Sequence, residues 1–520
     1  MIRGWRLALM IVAIATILCF AAYVRLENVA STPGWYTDEG THILIAQNLI
    51  RGRVQYMAID QSWLLFGRMP LFEWLLAGIF RWSGVGIEPL RVLTGVLGVV
   101  SLIILGFVVY RISRDTALSL LAMATFAIDP QAVLFSRFGF SYSLLAPLVL
   151  TTLLGLWLYI DENKASGLVL ATLSIGVGSL SDLWMLMLLP ALCVVVLLYR
   201  WRDVMWSLLL GLLPFALYSI VMLFYRPQAF AFDFGYTFWR LSHLSLVAQI
   251  SNLAFNYTVL VTQGPWWALA LLGWFLLRPV KLRWLSLSLG LLTIALLGRT
   301  VDLYNLSAYY VIPLLPLVSL GVASTLRYGV PVVRKEIDTG LSEWTSRRGW
   351  GAALKMGVRM IGYGIIAAIV ATPFLVMGLR SANQTRTGFS TELEPVLIHP
   401  RDAWEIAADV NRCVSLTDVV LASPGVAWLF AANVADFQMA AAADGRATPH
   451  LPDNIAQDRF AFDPRYTSAR LVVVDNIWRT WGAANVPGVA EMLPVIETWP
   501  KIAESGALVV YQNPVQPACP

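Results

Sequence analysis

The sequence predicts an all-α polytopic membrane domain followed by a small C-terminal α/β domain, and three observations carry that prediction. Of 520 residues, 58% are hydrophobic and 13% charged, with a mean hydropathy of +0.68; soluble domains carry about a quarter charged residues. Apolar runs approaching the roughly 20 residues that span a bilayer as a helix recur from the N-terminus to about residue 380. Beyond residue 381 the charge density becomes ordinary, and helix-like and strand-like stretches alternate. This composition excludes a soluble enzyme. The net charge of +5 and pI near 9.0 do not signal a nucleic-acid partner, because the basic residues sit in short loops between apolar runs.

The first run follows the basic head Met1-Ile2-Arg3-Gly4-Trp5-Arg6. It extends from Leu7 to Val24, too long for a signal h-region, and Arg25-Leu26-Glu27 is a poor cleavage site. It reads as a retained helix with a cytoplasmic N-terminus. About eleven spans are expected, at 6–25, 89–110, 116–128, 140–160, 165–181, 183–200, 204–225, 265–278, 283–298, 306–326 and 357–379. Alternation then makes 110–115, 161–165, 200–203, 278–283 and 327–355 cytoplasmic. Those loops hold Arg111, Arg114, Lys164, Arg200, Arg202, Arg278, Lys281, Arg283, Arg334, Lys335, Arg347, Arg348 and Lys355, as the positive-inside bias requires.

Three larger regions, 26–88, 226–264 and 381–520, are left facing outward. In the first, 40–51 and 71–82 are helical patterns too short to span; they are expected to lie at the bilayer interface, with Trp63, Trp74 and Trp82 at headgroup level. In the last, a helix is expected over 403–412 and strands over 419–422, 469–475 and 508–511. Cys19 and Cys193 lie in apolar runs as small core residues. Cys413 and Cys519 can pair if the tail faces an oxidising compartment.

Chemistry concentrates in Trp35-Tyr36-Thr37-Asp38-Glu39-Gly40, just after the first span. Asp38 and Glu39 are either acids that complement a helix N-terminus or a base held over a membrane-bound substrate. Asp38 and His42 share a helix face, a geometry compatible with a divalent metal but with too few ligands to define one; no cofactor is otherwise implied. Arg68, Arg137 and Arg299 fall on the same outer side, Arg299 close to Asp302. Each is either a headgroup anchor or part of a phosphate site, since guanidinium suits a phosphate oxygen pair.

Here the sequence resembles a known family. Pro33-Gly34-Trp35-Tyr36-Thr37-Asp38-Glu39-Gly40, followed by a helix with Ala46 and Asn48 and a glycine at Gly52, is similar to the first outer loop of C-type (GT-C fold) glycosyltransferases. The similarity is greatest to the protein O-mannosyltransferase and aminoarabinose transferase group and its bacterial rhizobial-core-transferase-like members. Gly67-Arg68-Met69-Pro70-Leu71-Phe72-Glu73-Trp74-Leu75 resembles that group's second loop motif. Ser136-Arg137 with Ser141-Tyr142-Ser143-Leu144-Leu145 resembles the start of its fourth span. Ser307-Ala308-Tyr309-Tyr310-Val311-Ile312-Pro313-Leu314-Leu315-Pro316 resembles its late aromatic-Tyr-x-x-Pro element.

The resemblance, over roughly residues 1–326, implies a multi-pass plasma-membrane transferase moving a sugar from a polyprenyl-phosphate donor to a glycan, lipid or protein acceptor on the extracytoplasmic face. It implies Asp38 as general base of an inverting displacement, with Glu39 orienting it or binding acceptor. Arg68 takes the carrier phosphate, with Arg137 and Arg299 as further candidates for that duty. Trp35, Tyr36, His42, Tyr142 and Tyr309 would line the acceptor and sugar pocket. The chain departs from the family at Gly67, where an acid is usual, at Tyr142, where Asp or Glu is usual, and at Asp182, where Lys is usual; sugar and acceptor recognition therefore do not carry over. Two rival readings remain: a flippase of a lipid-linked sugar, which would place ionisable residues inside its spans, and a non-catalytic scaffold.

Overall fold

The computed structural model describes residues 2–62, 69–242, 245–262, 265–300, 305–347, 352–387, 394–452 and 455–519. Arg68, Trp63, Gly67 and Asp302 lie outside the described residues, as does the side chain of Arg299. The chain begins with α1 (Ile2–Leu26), then α2 (Thr37–Ile50), a minimal hairpin of β1 (Gln55–Tyr56) and β2 (Ile59–Asp60), and α3 (Pro70–Ser83). The bundle continues through α4 (Ile87–Ser113), α5 (Thr116–Ile128), α6 (Pro130–Arg137), α7 (Leu145–Ile160), α8 (Ala165–Ser179), α9 (Leu188–Arg200) and α10 (Val204–Tyr225). It is completed by α11 (Pro227–Ser242), α12 (Leu246–Thr262), α13 (Pro265–Leu276), α14 (Val280–Thr300), α15 (Leu315–Ser324), α16 (Val330–Arg347) and α17 (Ala352–Asn383).

Each expected span is helical. By length and composition, six helical stretches among the described residues can cross a membrane, or seven if α5 and α6, bent by 57°, form one. The bend has a local cause. Asp129 ends α5, its side chain accepts the Gln131 N–H at 3.0 Å to start α6, and Pro130 has no N–H to continue the ladder. Between α7 and α8 the backbones touch: a Cβ on Gly155 would stand 2.6 Å from the Gly167 carbonyl oxygen. Small residues allow that approach where no hydrophobic effect drives association.

The basic loops gather at one end of the bundle. Lys281 pairs with Asp161 at 2.9 Å, Arg327 with Asp115 at 2.9 Å, Arg111 with Glu162, and Arg200 with Asn163. The 27-residue α4 runs from the outer loop to that end, so loop 26–88 occupies the other.

The tail folds as α18 (Pro400–Cys413), β3 (Val419–Ala422), α19 (Pro424–Ala427), β4 (Asn433–Ala435), α20 (Phe437–Ala443), β5 (Leu471–Val474), α21 (Ala483–Asn485), α22 (Pro487–Ile496), β6 (Lys501–Ser505) and β7 (Leu508–Gln512). The sheet order is β4-β3-β5-β7-β6, with β3 parallel to β4 and β5, and β7 antiparallel to β5 and β6. β5 is central and fully buried, which a four-residue Leu-Val-Val-Val run suits. Cys413 and Cys519 form a disulfide that ties the C-terminus to α18. The helix expected over 403–412 and the three expected strands are present. The reading missed β4, β6 and the helices α19 to α22. β4 has three residues, β6 is largely exposed, and all seven residues of α20 are buried, so it shows no amphipathic period.

The two outer-loop helices behave differently from each other. α3 keeps Trp74, Leu75 and Trp82 exposed, the face an interfacial helix turns to lipid. α2 does not lie on the interface as expected. It is sealed beneath the tail, sharing one hydrophobic core with β3, β5, β7 and α18 through Ile43, Leu44, Ile45 and Ala46. A Cβ on Gly40 would fall 1.7 Å from the Pro424 carbonyl oxygen, so glycine there is what lets α19 rest directly on α2.

Candidate active site

Loop 29–41 is positioned by buried arginines. Arg91 of α4, 0% exposed, clasps Glu39 through Nε to Oε1 and Nη2 to Oε2, both 2.7 Å, and donates to the carbonyls of Val29, Pro33 and Gly34 at 2.7–3.0 Å. Glu39 also accepts the N–H of Tyr36 at 2.9 Å and of Gly139 at 2.7 Å. Its carboxylate is thereby taken up by the start of α2, the arginine and the loop before α7. A buried, bidentate, fully hydrogen-bonded pair of this kind fixes geometry; Glu39 orients the loop that carries Asp38 and is itself shut off from any substrate.

Arg137 has a related duty. It is fully buried, and its guanidinium donates to the carbonyls of Val24, Glu27, Asn28 and Thr32 at 2.7–3.3 Å, closing the end of α1. The structure therefore gives it four carbonyls to bind in place of a carrier phosphate. His42, also fully buried, is 2.7 Å from Glu73 through Nδ1 and stands edge-on to Phe72, inside the core and away from a site shared with Asp38. Among the described residues no group of three His, Cys, Asp or Glu side chains is arranged to hold a metal. Trp35 is 1% exposed; it packs on Trp404 and Trp428, and its backbone exchanges hydrogen bonds of 2.8 and 2.9 Å with Ile398. It docks the tail and does not line the cavity that Asp38 faces.

Asp38, by contrast, faces a cavity of about 400 Å³ between the outer loop and the sheet domain. Tyr36, Thr37 and Thr41 surround it on the α2 side, with Tyr56 from β1. Tyr142, Tyr309 and Tyr310 come from the turns that precede α7 and α15; Tyr142 stacks on Tyr309 at 5.4 Å and meets Tyr310 edge-on at 5.1 Å. The sheet domain supplies the opposite wall, chiefly Asp436, Phe437, Gln438, His450, Leu451 and Trp481. Burial pushes the Asp436 carboxyl up to about 6 against the two backbone N–H bonds that hold it down. Of the expected pocket residues, Tyr36, Tyr142 and Tyr309 are brought together with Asp38; Trp35 and His42 are not. The reading missed Arg91 and the whole sheet-domain wall. A usable signal existed for the latter: His450 is one of only four histidines in the chain, and Asp436 precedes Phe437-Gln438-Met439 as a helix-capping acid.

A multi-helix membrane bundle with a large loop after its first helix and a small sheet domain that together enclose a cavity lined by Asp38 and Asp436 is the architecture of the GT-C fold. Residues 68–225 match the family model described as dolichyl-phosphate-mannose-protein mannosyltransferase. Among solved structures, ArnT from Cupriavidus metallidurans bound to undecaprenyl phosphate matches at 13% identity, with 98% of each chain covered and a TM-score of 0.62. The Archaeoglobus fulgidus oligosaccharyltransferase AglB, in complex with an inhibitory peptide and a dolichol-phosphate, matches at 14% identity over 99% of this chain and 74% of its own, with a TM-score of 0.53. No curated protein sequence matches at a comparable level. The chain is a GT-C-fold membrane protein, similar to the mannosyltransferases and aminoarabinose transferases.

Proposed function

We propose that this protein transfers a sugar from a polyprenyl-phosphate carrier to an acceptor hydroxyl, with Asp38 as general base. The observation that carries this reading is Asp38 opening onto a closed-over, aromatic-lined cavity while its neighbour Glu39 is locked in the scaffold. Asp38 takes the acceptor hydroxyl proton as that oxygen forms a bond to the anomeric carbon; the bond from that carbon to the phosphate oxygen breaks, and its electron pair leaves on polyprenyl phosphate. Attack opposite the leaving group inverts the anomeric centre. A carboxylate within hydrogen-bond reach serves as such a base.

The leaving phosphate needs a cation, and Arg68 is the residue proposed for it; Arg299 is a second. The same-fold ArnT binds undecaprenyl phosphate and AglB a dolichol-phosphate, which supports this carrier class. The disulfide in the sheet domain and the clustering of basic loops at the other end of the bundle support an extracytoplasmic site and a cytoplasmic N-terminus. The test is transfer by purified protein in lipid nanodiscs given a panel of polyprenyl-phosphate sugars. Wild type is expected to transfer one of them and Asp38→Asn to lose transfer while keeping its melting temperature. Movement of the lipid without transfer would favour a flippase.

A further inference from the structure

We propose that Gln438 reads a hydroxyl of the sugar ring that occupies the cavity, with the stacked pair His450–Trp481 as the platform behind it. The inference rests on the reading above, that the cavity receives a sugar. Its evidence is on the sheet-domain wall. The Gln438 Nε2 lies 3.2 Å from His450 Nδ1, which fixes the amide plane, and the side chain is 8% exposed where it lines the cavity. The other amide atom, Oε1, is buried with no hydrogen-bond partner, and a turn of this cavity-lining side chain is what brings it to a ligand. Buried polar groups are almost always paired, and an orphan beside a ligand cavity is explained by a ligand that pairs it.

The surroundings fit a saturated, hydroxylated ring. His450 and Trp481 stack with ring centroids 5.1 Å apart and planes within 6° of parallel, so His450 is held in place by stacking as well as by the amide. Asp436 caps the short helix α20, accepting the Met439 N–H at 2.8 Å, and so sets the turn from which Gln438 projects. Across the cavity, beside Asp38, the Thr37 hydroxyl is likewise buried and unpartnered. Aromatic faces with a few orphaned polar atoms are complementary to a pyranose and not to a lipid tail, which has no donor to offer. A site built to hydrogen-bond a hydroxyl rejects the analogue lacking it strongly, because its own polar group is then left unpaired.

The ring can belong to the donor or to a glycan acceptor, and the experiment separates the two. Full-length protein in nanodiscs is titrated with a polyprenyl-phosphate sugar and with bare polyprenyl phosphate, and the acceptor KM is measured alongside. Wild type is expected to bind the sugar-bearing carrier about tenfold tighter than the bare one. Gln438→Leu is expected to erase most of that difference while leaving affinity for the bare carrier unchanged, which also reports intact folding. Gln438→Met stands in if the leucine variant misfolds. A rise of similar size in acceptor KM, with the donor difference intact, assigns the same contact to an acceptor sugar. If neither quantity moves, or if a deoxy-sugar series shows no position whose loss makes wild type and variant equal, the proposal is overturned. Asp38→Asn run in parallel distinguishes the two readings: should it retain transfer, the base assignment falls while the Gln438 contact is judged on binding alone.

Discussion

The two walls of the cavity were built by different means. The wall on the membrane side is built from the ends of helices and the 3-10 segments that lead into them: Tyr36 to Thr41 opening α2, Tyr142 before α7, and Tyr309 and Tyr310 before α15. Its geometry is inherited from buried arginines that clamp backbone carbonyls, Arg91 and Arg137, and from the Arg91–Glu39 pair. The wall on the sheet side is carried by short elements whose side chains are fixed by one another: Gln438 by His450, His450 by Trp481, α20 by its Asp436 cap. Rigid frames suit residues that must hold position during chemistry. Locally assembled walls, positioned by a domain that needs only to dock, suit recognition that varies between substrates.

Five measurements break or sharpen that division. The largest effect is expected from Asp38→Asn, a loss of transfer of about a thousandfold at unchanged thermal stability; a variant that unfolds instead would make Asp38 part of the frame. Glu39→Ala should behave in the opposite way, leaving the buried charge of Arg91 without its carboxylate at a cost of about 3–5 kcal/mol, read as a drop in melting temperature and in yield of folded protein. Reducing the Cys413–Cys519 disulfide should lower the stability of the sheet domain by about 2–4 kcal/mol, seen as earlier unfolding of that domain in hydrogen exchange while the membrane helices keep their protection. Gly40→Ala forces a methyl against Pro424 and should cost about 1–3 kcal/mol of docking, read as faster proteolytic release of the tail.

The smallest expected effect concerns pH. Burial raises the Asp436 carboxyl from 3.8 to about 6, so the folded domain holds a proton there that the unfolded chain has already lost. Between those values stability therefore falls as pH rises. Asp436→Asn keeps a capping side chain and removes the titration, and thermal melts across that window should lose that part of their slope. An unchanged slope would mean that the sheet wall tolerates charge as well as the frame does.

The same division explains what could be read in advance. Long apolar periods made the helices of the expected spans legible, though six or seven of the described helical stretches, not eleven, are long and apolar enough to cross a membrane and α11 and α12 fell in a region read as loop. The loop with Asp38 stood out because an acidic pair is rare so close to a span. Tyr142 and Tyr309 were reachable through their place in ordered motifs. Glu39 reads as a chemical partner of Asp38 in the sequence because proximity along the chain says nothing of direction: one residue along a helix turns the side chain by about 100°, here from the cavity into the grip of Arg91. Arg91 itself looked like one more arginine at a helix start. The sheet wall was illegible for a further reason. α20 is an alanine-rich segment buried on all sides, and Gln438 and His450 meet across twelve residues with no local pattern to link them.

The contact of α2 with the tail carries a consequence for the order in which the protein is made. Trp35 exchanges backbone hydrogen bonds with Ile398, and Gly40 lies against Pro424, so the loop that carries Asp38 leaves the ribosome long before its covering partner exists. Throughout synthesis of the bundle, Asp38 has a scaffold behind it and no roof above it. The cavity closes only when the last quarter of the chain has been made and has folded. If the proposed transfer takes place in this cavity, chains that end before this contact are expected to insert in the membrane without transferring sugar, which a truncation series in nanodiscs would read.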